Sequence, residues 1–276
     1  MDGIILGIFI LVFFVVAGAF KKGGRRYFEG GLSLMGYRCI EVSDDGLRDA
    51  LWDAVQQLEE YTSTRNKLRE SDLRRIKSLN AMIKGIGSLE GLDLSILQNL
   101  MELNLSYNGI RSLKEVNFNG LHRLKTLSLT FNVLESLDGV DFRGLDNLKT
   151  LNLNENEIDR VEGAEVGSLH NLRILDLGLN KISTLKGLDL GGLYNLNYLN
   201  LRLNHIRSFE GADFKKLHSL RYLNLDFNRI DTMAGFREAV AGLNNLTVSM
   251  YDNPVIATEE YRRLKGDGDS KITFVP

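Results

Sequence analysis

Cysteine is almost missing from this chain. Cys39 stands alone among 276 residues, so no internal disulfide can form and a reducing compartment is favoured. Charge of one sign is missing too: 34 basic against 36 acidic residues leave a net charge of −2. That balance gives no bulk attraction to nucleic acid, which would call for a clustered basic face. No nucleophile elbow, phosphate loop, paired-cysteine motif or metal-type histidine spacing occurs. There are only four histidines, and His122, His170 and His218 recur two repeat units apart. On stacked strands that is about 10 Å, too far to share one metal. Gly266-Asp267-Gly268-Asp269 lacks the remaining ligands of a calcium loop. These absences predict a non-catalytic protein without cofactor, metal or small-molecule substrate.

What is present begins with one long apolar run. From Gly3 to Phe20 there is no charged side chain. Eighteen helical residues span about 27 Å, close to the hydrocarbon thickness of a bilayer. Lys21, Lys22, Arg25 and Arg26 follow at once, with Tyr27 and Phe28 beside them, while only Met1 and Asp2 precede the run. The positive-inside rule then keeps everything after Lys21 on the cytoplasmic side of a single-pass anchor. Ala17-Gly18-Ala19 has the form of a signal-peptide cleavage site, but the basic n-region of such a peptide is absent. A buried core helix is the third reading, and a run with no polar face opposes it.

Glycines at 23, 24, 30, 31 and 36 mark an irregular linker. Residues 37–42 alternate as a short strand would. Ser43 is the expected cap of an amphipathic helix whose apolar stripe is Leu47, Leu51, Val55 and Leu58. That helix is expected to cover the first repeat.

Over more than half of the chain one phrase returns. Leu100, Leu103, Leu105, Asn108, Ile110 and Leu113 state it, and Asn132, Asn156, Asn180, Asn204 and Asn228 repeat it every 24 residues, with Asn253 following after 25. A fixed period of this length is the mark of a solenoid. Within each unit two leucines alternate with polar residues, as in Leu127 and Leu129, which is the period of a strand with one buried face. The asparagine stands where the chain turns away, and its amide can serve unpaired backbone groups there. Gly139, Gly163, Gly187, Gly211 and Gly235 hold one position, predicting a turn that a side chain would hinder. Phe118, Phe142 and Phe214, with Val166 and Leu190, fill another column. Residues 73–92 align as a degenerate first unit in which Lys84 replaces the asparagine.

These residues resemble the leucine-rich repeat family, in particular its 24-residue class, without the proline that class often carries. Leucine-rich repeat domains outside animal cells are usually closed by disulfide-bonded caps, which one cysteine cannot build. Pro254, Val255, Tyr261, Leu264 and Ile272 to Val275 resemble the cap closing many intracellular members, minus its usual leucine-aspartate ending. The resemblance implies an α/β solenoid: a curved parallel sheet on the concave side, with turns and short helices on the convex side. With the anchor, the chain divides into a transmembrane helix (1–20), linker and short strand (21–42), capping helix (43–72), repeats (73–253) and C-terminal cap (254–276).

The solvent-facing columns of the sheet can be read directly. One ends in Ile174, Tyr198 and Tyr222; the next contains Asp176; a third contains Arg202 and Asp226; beside it lie Leu179, Leu203 and Phe227. Exposed aromatics among a few charges suit protein recognition. These nine residues form the candidate site, with packing of Leu179, Leu203 and Phe227 as the competing reading. The expected function is a membrane-anchored module that binds a protein through the concave face. Its alternative is an accessory subunit packed permanently into a multi-subunit membrane complex. The lipid bilayer, through Gly3 to Phe20, is the other expected partner.

Overall fold

In this computed structural model the described residues are 40, 42–61, 67–89, 93–266 and 271–275. The expected membrane helix (1–20), the linker, Cys39 and residues 267–270 lie outside them. Among the described residues no helix is long and apolar enough to cross a membrane.

Among the described residues nine parallel strands pair strictly in chain order. They are β1 (Ser78–Asn80), β2 (Glu102–Asn104), β3 (Thr126–Ser128), β4 (Thr150–Asn152), β5 (Ile174–Asp176), β6 (Tyr198–Asn200), β7 (Tyr222–Asn224), β8 (Leu246–Ser249) and β9 (Ile272–Val275). From β1 to β7 each residue faces its counterpart 24 positions on, as Leu103 faces Leu127 and Leu127 faces Leu151. The sequence period is therefore the register itself. Central leucines of the strands are buried, and so are Ile110, Leu134, Ile158, Ile182, Ile206 and Ile230 across the core. On the far side Phe118 and Phe142 stack at 5.9 Å, with Val166, Leu190 and Phe214 buried in the same column.

Asparagine does what its position predicts. Asn132 accepts the Ile110 N–H at 3.1 Å and donates to Leu105 O and Leu129 O at 2.9 and 3.0 Å. It thus ties its own coil to the preceding one, and Asn156, Asn180, Asn204, Asn228 and Asn253 repeat the arrangement. The glycine column turns as expected, with φ from +68° at Gly139 to +81° at Gly235. A second ladder was not anticipated. Asn147, Asn171 and Asn195 donate to the carbonyls of His122, Asp146 and His170, at 2.6, 2.7 and 2.9 Å. Its signal is a second 24-residue asparagine period, just ahead of the strands.

At the N-terminal end, helix α1 (Asp45–Gln56) buries Leu47, Ala50, Leu51 and Val55. Its cap is Asp44 rather than Ser43: Asp44 Oδ1 accepts the Leu47 N–H at 2.8 Å and Oδ2 the Gly87 N–H at 3.3 Å. A serine hydroxyl has one oxygen and cannot bridge helix and coil in that way. The helix stops well short of residue 72: Leu58, expected on its stripe, lies past the last turn and only partly buried among exposed Gln56, Gln57, Glu59 and Glu60. A separate turn, α2 (Glu70–Leu73), follows. Gly46 lies so close to the coil that a Cβ there would stand 2.0 Å from Lys84 O. Of the strand expected at 37–42, only Ile40 and Val42 are described, and neither is in a strand. The Ile40 N–H donates to Leu68 O at 3.1 Å. The degenerate unit is real: Ile76, Leu79, Ala81, Ile86 and Leu89 are all buried.

The C-terminal end departs from expectation. Within residues 234–243 one short helix forms, α3 (Phe236–Ala239). The coil after it carries a full strand, β8, and the cap adds β9 after α4 (Glu259–Gly266). Pairing β9 on β8 covers a sheet edge that would otherwise present unpaired backbone groups. Phe274 packs against both Tyr261 and Phe236, with ring centroids 5.3 Å apart in each case.

Candidate functional site

The sheet face carries the nine expected site residues on three neighbouring coils. Register places Ile174, Tyr198 and Tyr222 side by side on β5, β6 and β7. The two tyrosine rings stack with centroids 5.4 Å apart and planes 2° from parallel. Ile174 beside them is 40% exposed. Tyr198 is half-buried, and burial pushes its phenol pKa up, with the negative charge of Asp176 adding to the effect.

Asp176, Asn200 and Asn224 form the next column. Each side chain accepts the backbone N–H two residues on: Gly178 at 2.9 Å, Arg202 at 3.0 Å and Asp226 at 2.9 Å. Asn104 and Asn152 do the same for Ser106 and Asn154. The column is thus a run of local side-chain turns that pins the chain as it leaves each strand. Asp176 also accepts from Asn200 Nδ2 at 2.9 Å. Burial raises its carboxyl pKa above the usual carboxylate range, against the lowering effect of the donors from Gly178, Asn200 and Asn154.

In the third column the two charges are engaged internally. The Arg202 guanidinium carbon lies 4.7 Å from the centroid of the Phe227 ring, a cation–π contact. Asp226 accepts from Ser249 Oγ at 2.5 Å and from the Tyr251 N–H at 2.8 Å. Asp226 therefore anchors the last coil and is a weaker candidate for partner contact than sequence suggested.

The fourth column holds the largest surprise. Leu179, Leu203 and Phe227 have φ of 50°, 54° and 54°, in the left-handed region that costs a side-chain-bearing residue about 1–2 kcal/mol. Ile83, Tyr107, Phe131, Glu155 and Asp252 share the conformation at the matching place in their coils. Each of the three site residues donates its N–H to the next coil, Leu179 to Arg202 O, Leu203 to Asp226 O and Phe227 to Tyr251 O. The ladder sustains the strain, and the side chain is presented rather than packed: Leu179 is 41% exposed, Tyr107 45% and Phe131 38%. Packing therefore describes Leu203 and Phe227, which are half-buried, better than it describes Leu179. Sequence reading also understated how far this apolar margin runs. Tyr107 and Phe131 stack at 4.2 Å on the N-terminal coils, and exposed Tyr251 meets Phe227 edge-on at 5.3 Å. The signal available was position alone: a large apolar residue immediately before the ladder asparagine.

The opposite margin is basic. Lys77, Lys125, Lys149, Arg173 and Arg221, one step ahead of their strands, are all exposed. The aromatic platform lies between this cationic row and the apolar margin. Among the described residues, no group of three or more His, Cys, Asp and Glu side chains is placed to hold a metal ion.

Comparison with known proteins places the array. Residues 98–158 and 170–230 match the leucine rich repeat model, and residues 146–190 match the model for two copies of the repeat. Residues 98–230 are thus covered by leucine-rich repeat models. Its fold is similar to internalin C2 of Listeria monocytogenes, with 24% identity, a TM-score of 0.60, and 84% of this chain and 93% of that one covered. It is also similar to TLR13 in complex with ssRNA13, at 30% identity and a TM-score of 0.56, over 64% of this chain. A third similar structure is Toll from Drosophila in complex with Spatzle, at 30% identity and a TM-score of 0.51, over 58% of this chain. The matched regions are 24% and 23% of those two longer chains. No curated protein sequence matches the chain.

Proposed function

We propose that this chain is a membrane-tethered interaction module whose sheet face binds a protein. The observation that carries the reading is the Tyr198–Tyr222 stack, held flat on adjacent strands beside a coil that exposes Ile174 and Leu179. Two rigid aromatic rings already ordered in the free protein lose little conformational entropy on binding. Large exposed apolar surface rimmed by charge marks contact sites. Structural relatives include Toll in its complex with Spatzle, and repeat folds commonly serve as recognition platforms. The exposed lysines and arginines at one margin favour a partner with acidic groups at its rim, since charge complementarity steers encounter.

The tether is the run from Gly3 to Phe20, with the repeats on the side of its basic flank. Alkaline carbonate washing of membranes is expected to leave the full chain in the pellet and to release a variant lacking residues 1–20. Release of the full chain would remove the tether from this account.

Binding through the sheet face is tested by a photo-crosslinking residue placed at Leu179 or, as a control, at exposed Lys114 on the far side. Intact membranes are irradiated and adducts resolved by mass. A discrete adduct from position 179 and none from 114 is the expected result. Equal labelling from both positions, or none from 179, would contradict the reading.

A further inference from the structure

Several pairs of side chains that face each other from neighbouring coils carry opposite charge. Arg111 pairs with Glu135 at 3.6 Å, Lys181 with Glu157 at 2.9 Å and Lys215 with Glu238 at 3.7 Å. The basic margin breaks this pattern. Lys125, Lys149 and Arg173 stand on three consecutive coils, each one residue ahead of its strand. Their backbones are locked in register, since the Lys149 N–H donates to Lys125 O and the Arg173 N–H to Lys149 O, at 2.8 Å each. Three cations are therefore rooted about 4.8 Å apart, and like charges at facing positions repel.

Among the described residues nothing offsets that repulsion. All three side chains are exposed, and none has an ionic or hydrogen-bonding partner there. Asp146, on the outer side of Lys149, is engaged with His122. Arg221, further along the same margin, is by contrast held by the carbonyls of His218, Leu220 and Asn244. The free row is one residue wide. On its inner side lie uncharged Thr126, Thr150 and Ile174. On its outer side Arg123 is tied to the Asn99 side chain, and Asn147 and Asn171 to backbone carbonyls. A phosphate backbone or an anionic lipid surface calls for a broader basic face. A single file of cations beside the tyrosine platform suits a linear run of carboxylates.

We propose that Lys125, Lys149 and Arg173 receive the carboxylates of an acidic segment of the protein partner, which lies along the row and presents an acidic side chain to each coil. This rests on the sheet face being the binding surface and specifies the partner's chemistry and direction at its edge. Binding relieves a repulsion that the free protein carries, and the same charges steer encounter.

The test uses fluorescein-labelled hexaglutamate as the probe, read by fluorescence anisotropy with the full chain in nonionic detergent at low salt. Neutralising the row in Lys125→Gln/Lys149→Gln/Arg173→Gln is expected to weaken binding about tenfold, since three exposed charge pairs are removed. Lys114→Gln/Lys186→Gln/Lys216→Gln removes as much charge from exposed positions elsewhere and is expected to weaken it less than about twofold, because distant charges are screened. The row variant should unfold at an unchanged or higher temperature, its repulsion being gone. No binding by the wild type, equal loss in both variants, or a lower unfolding midpoint in the row variant alone would overturn the proposal. Hexauridylate and phosphatidylserine nanodiscs are the phosphate counterparts, and row-dependent binding of either tighter than that of hexaglutamate would overturn it too. A position-179 adduct formed in equal yield with the row neutralised would do the same, while leaving the sheet face as the binding surface. Hexaglutamate binding that depends on the row, without any adduct from position 179, would sustain the row as a carboxylate site and remove the sheet-face reading instead.

Discussion

Replacing Asn180 by alanine is expected to cost about 3–5 kcal/mol, at the upper end for a single substitution. The side chain is 5% exposed. Its oxygen accepts the Ile158 N–H at 3.0 Å, and its amide donates to Leu153 O, Leu177 O and Gly178 O at 3.0, 3.1 and 3.0 Å. Alanine leaves the Ile158 N–H buried without a partner, at about 1–3 kcal/mol, and removes one of the two donors to each of Leu153 O, Leu177 O and Gly178 O, at about 0.5–1.5 kcal/mol each. Because a solenoid coil contacts only its neighbours, the loss falls on one interface, between the coils of β4 and β5. Urea unfolding should then split. The single tryptophan, Trp52 on α1, reports the N-terminal coils, while far-UV circular dichroism averages over all of them. In the wild type the two signals are expected to coincide, and in Asn180→Ala to separate. The exposed ladder provides the control: Asn147→Ala removes a hydrogen bond to His122 O that water can replace, and should cost about 1 kcal/mol or less. Equal costs for the two variants would mean that the buried ladder does not hold the stack together.

Much of this fold was legible before any coordinate, for a specific physical reason. Identical coils must stack in register, so one sequence period encodes strand pairing, core columns and the asparagine ladder together. Leu103, Leu127 and Leu151 could be aligned by counting alone. What escaped counting depends on contacts that no period carries. Asp44 displaces Ser43 as the α1 cap because it also reaches Gly87 in a different segment. The strand β9 has no repeat to announce it and exists because β8 offers an open edge. The left-handed column at Tyr107, Phe131, Leu179, Leu203 and Phe227 runs against residue preference altogether, since bulky side chains argue for negative φ.

The candidate site was legible as a set of columns, and less so as a surface. Register brings Ile174, Tyr198 and Tyr222 together, as alternation predicts. Asp226 proved to be committed to Ser249 and Tyr251, and Arg202 to Phe227, because side chains of one coil reach backbone and rings of the next. The basic row from Lys77 to Arg221 was visible in the sequence only once the strand edges were known. Net charge hid it, since an overall −2 says nothing about how 34 cations are arranged.

The second large effect concerns binding. Tyr198 and Tyr222 stand on the sheet face of β6 and β7, whose core side is filled by buried Leu199 and Leu223. Neither ring is needed to fill that core, so replacing both with alanine removes a stacked, half-buried pair at modest cost to the fold. Paired aromatic anchors at the centre of an interface are worth about 2 kcal/mol or more on truncation, which is roughly a 30-fold loss of affinity. Once the crosslinked partner has been purified, the direct measurement is its dissociation constant with wild type and with Tyr198→Ala/Tyr222→Ala. Thermal unfolding of both proteins is followed alongside. This account predicts a loss of about 30-fold or more with a nearly unchanged unfolding midpoint. An affinity unaltered by removing both rings, in a protein that still folds, would contradict it.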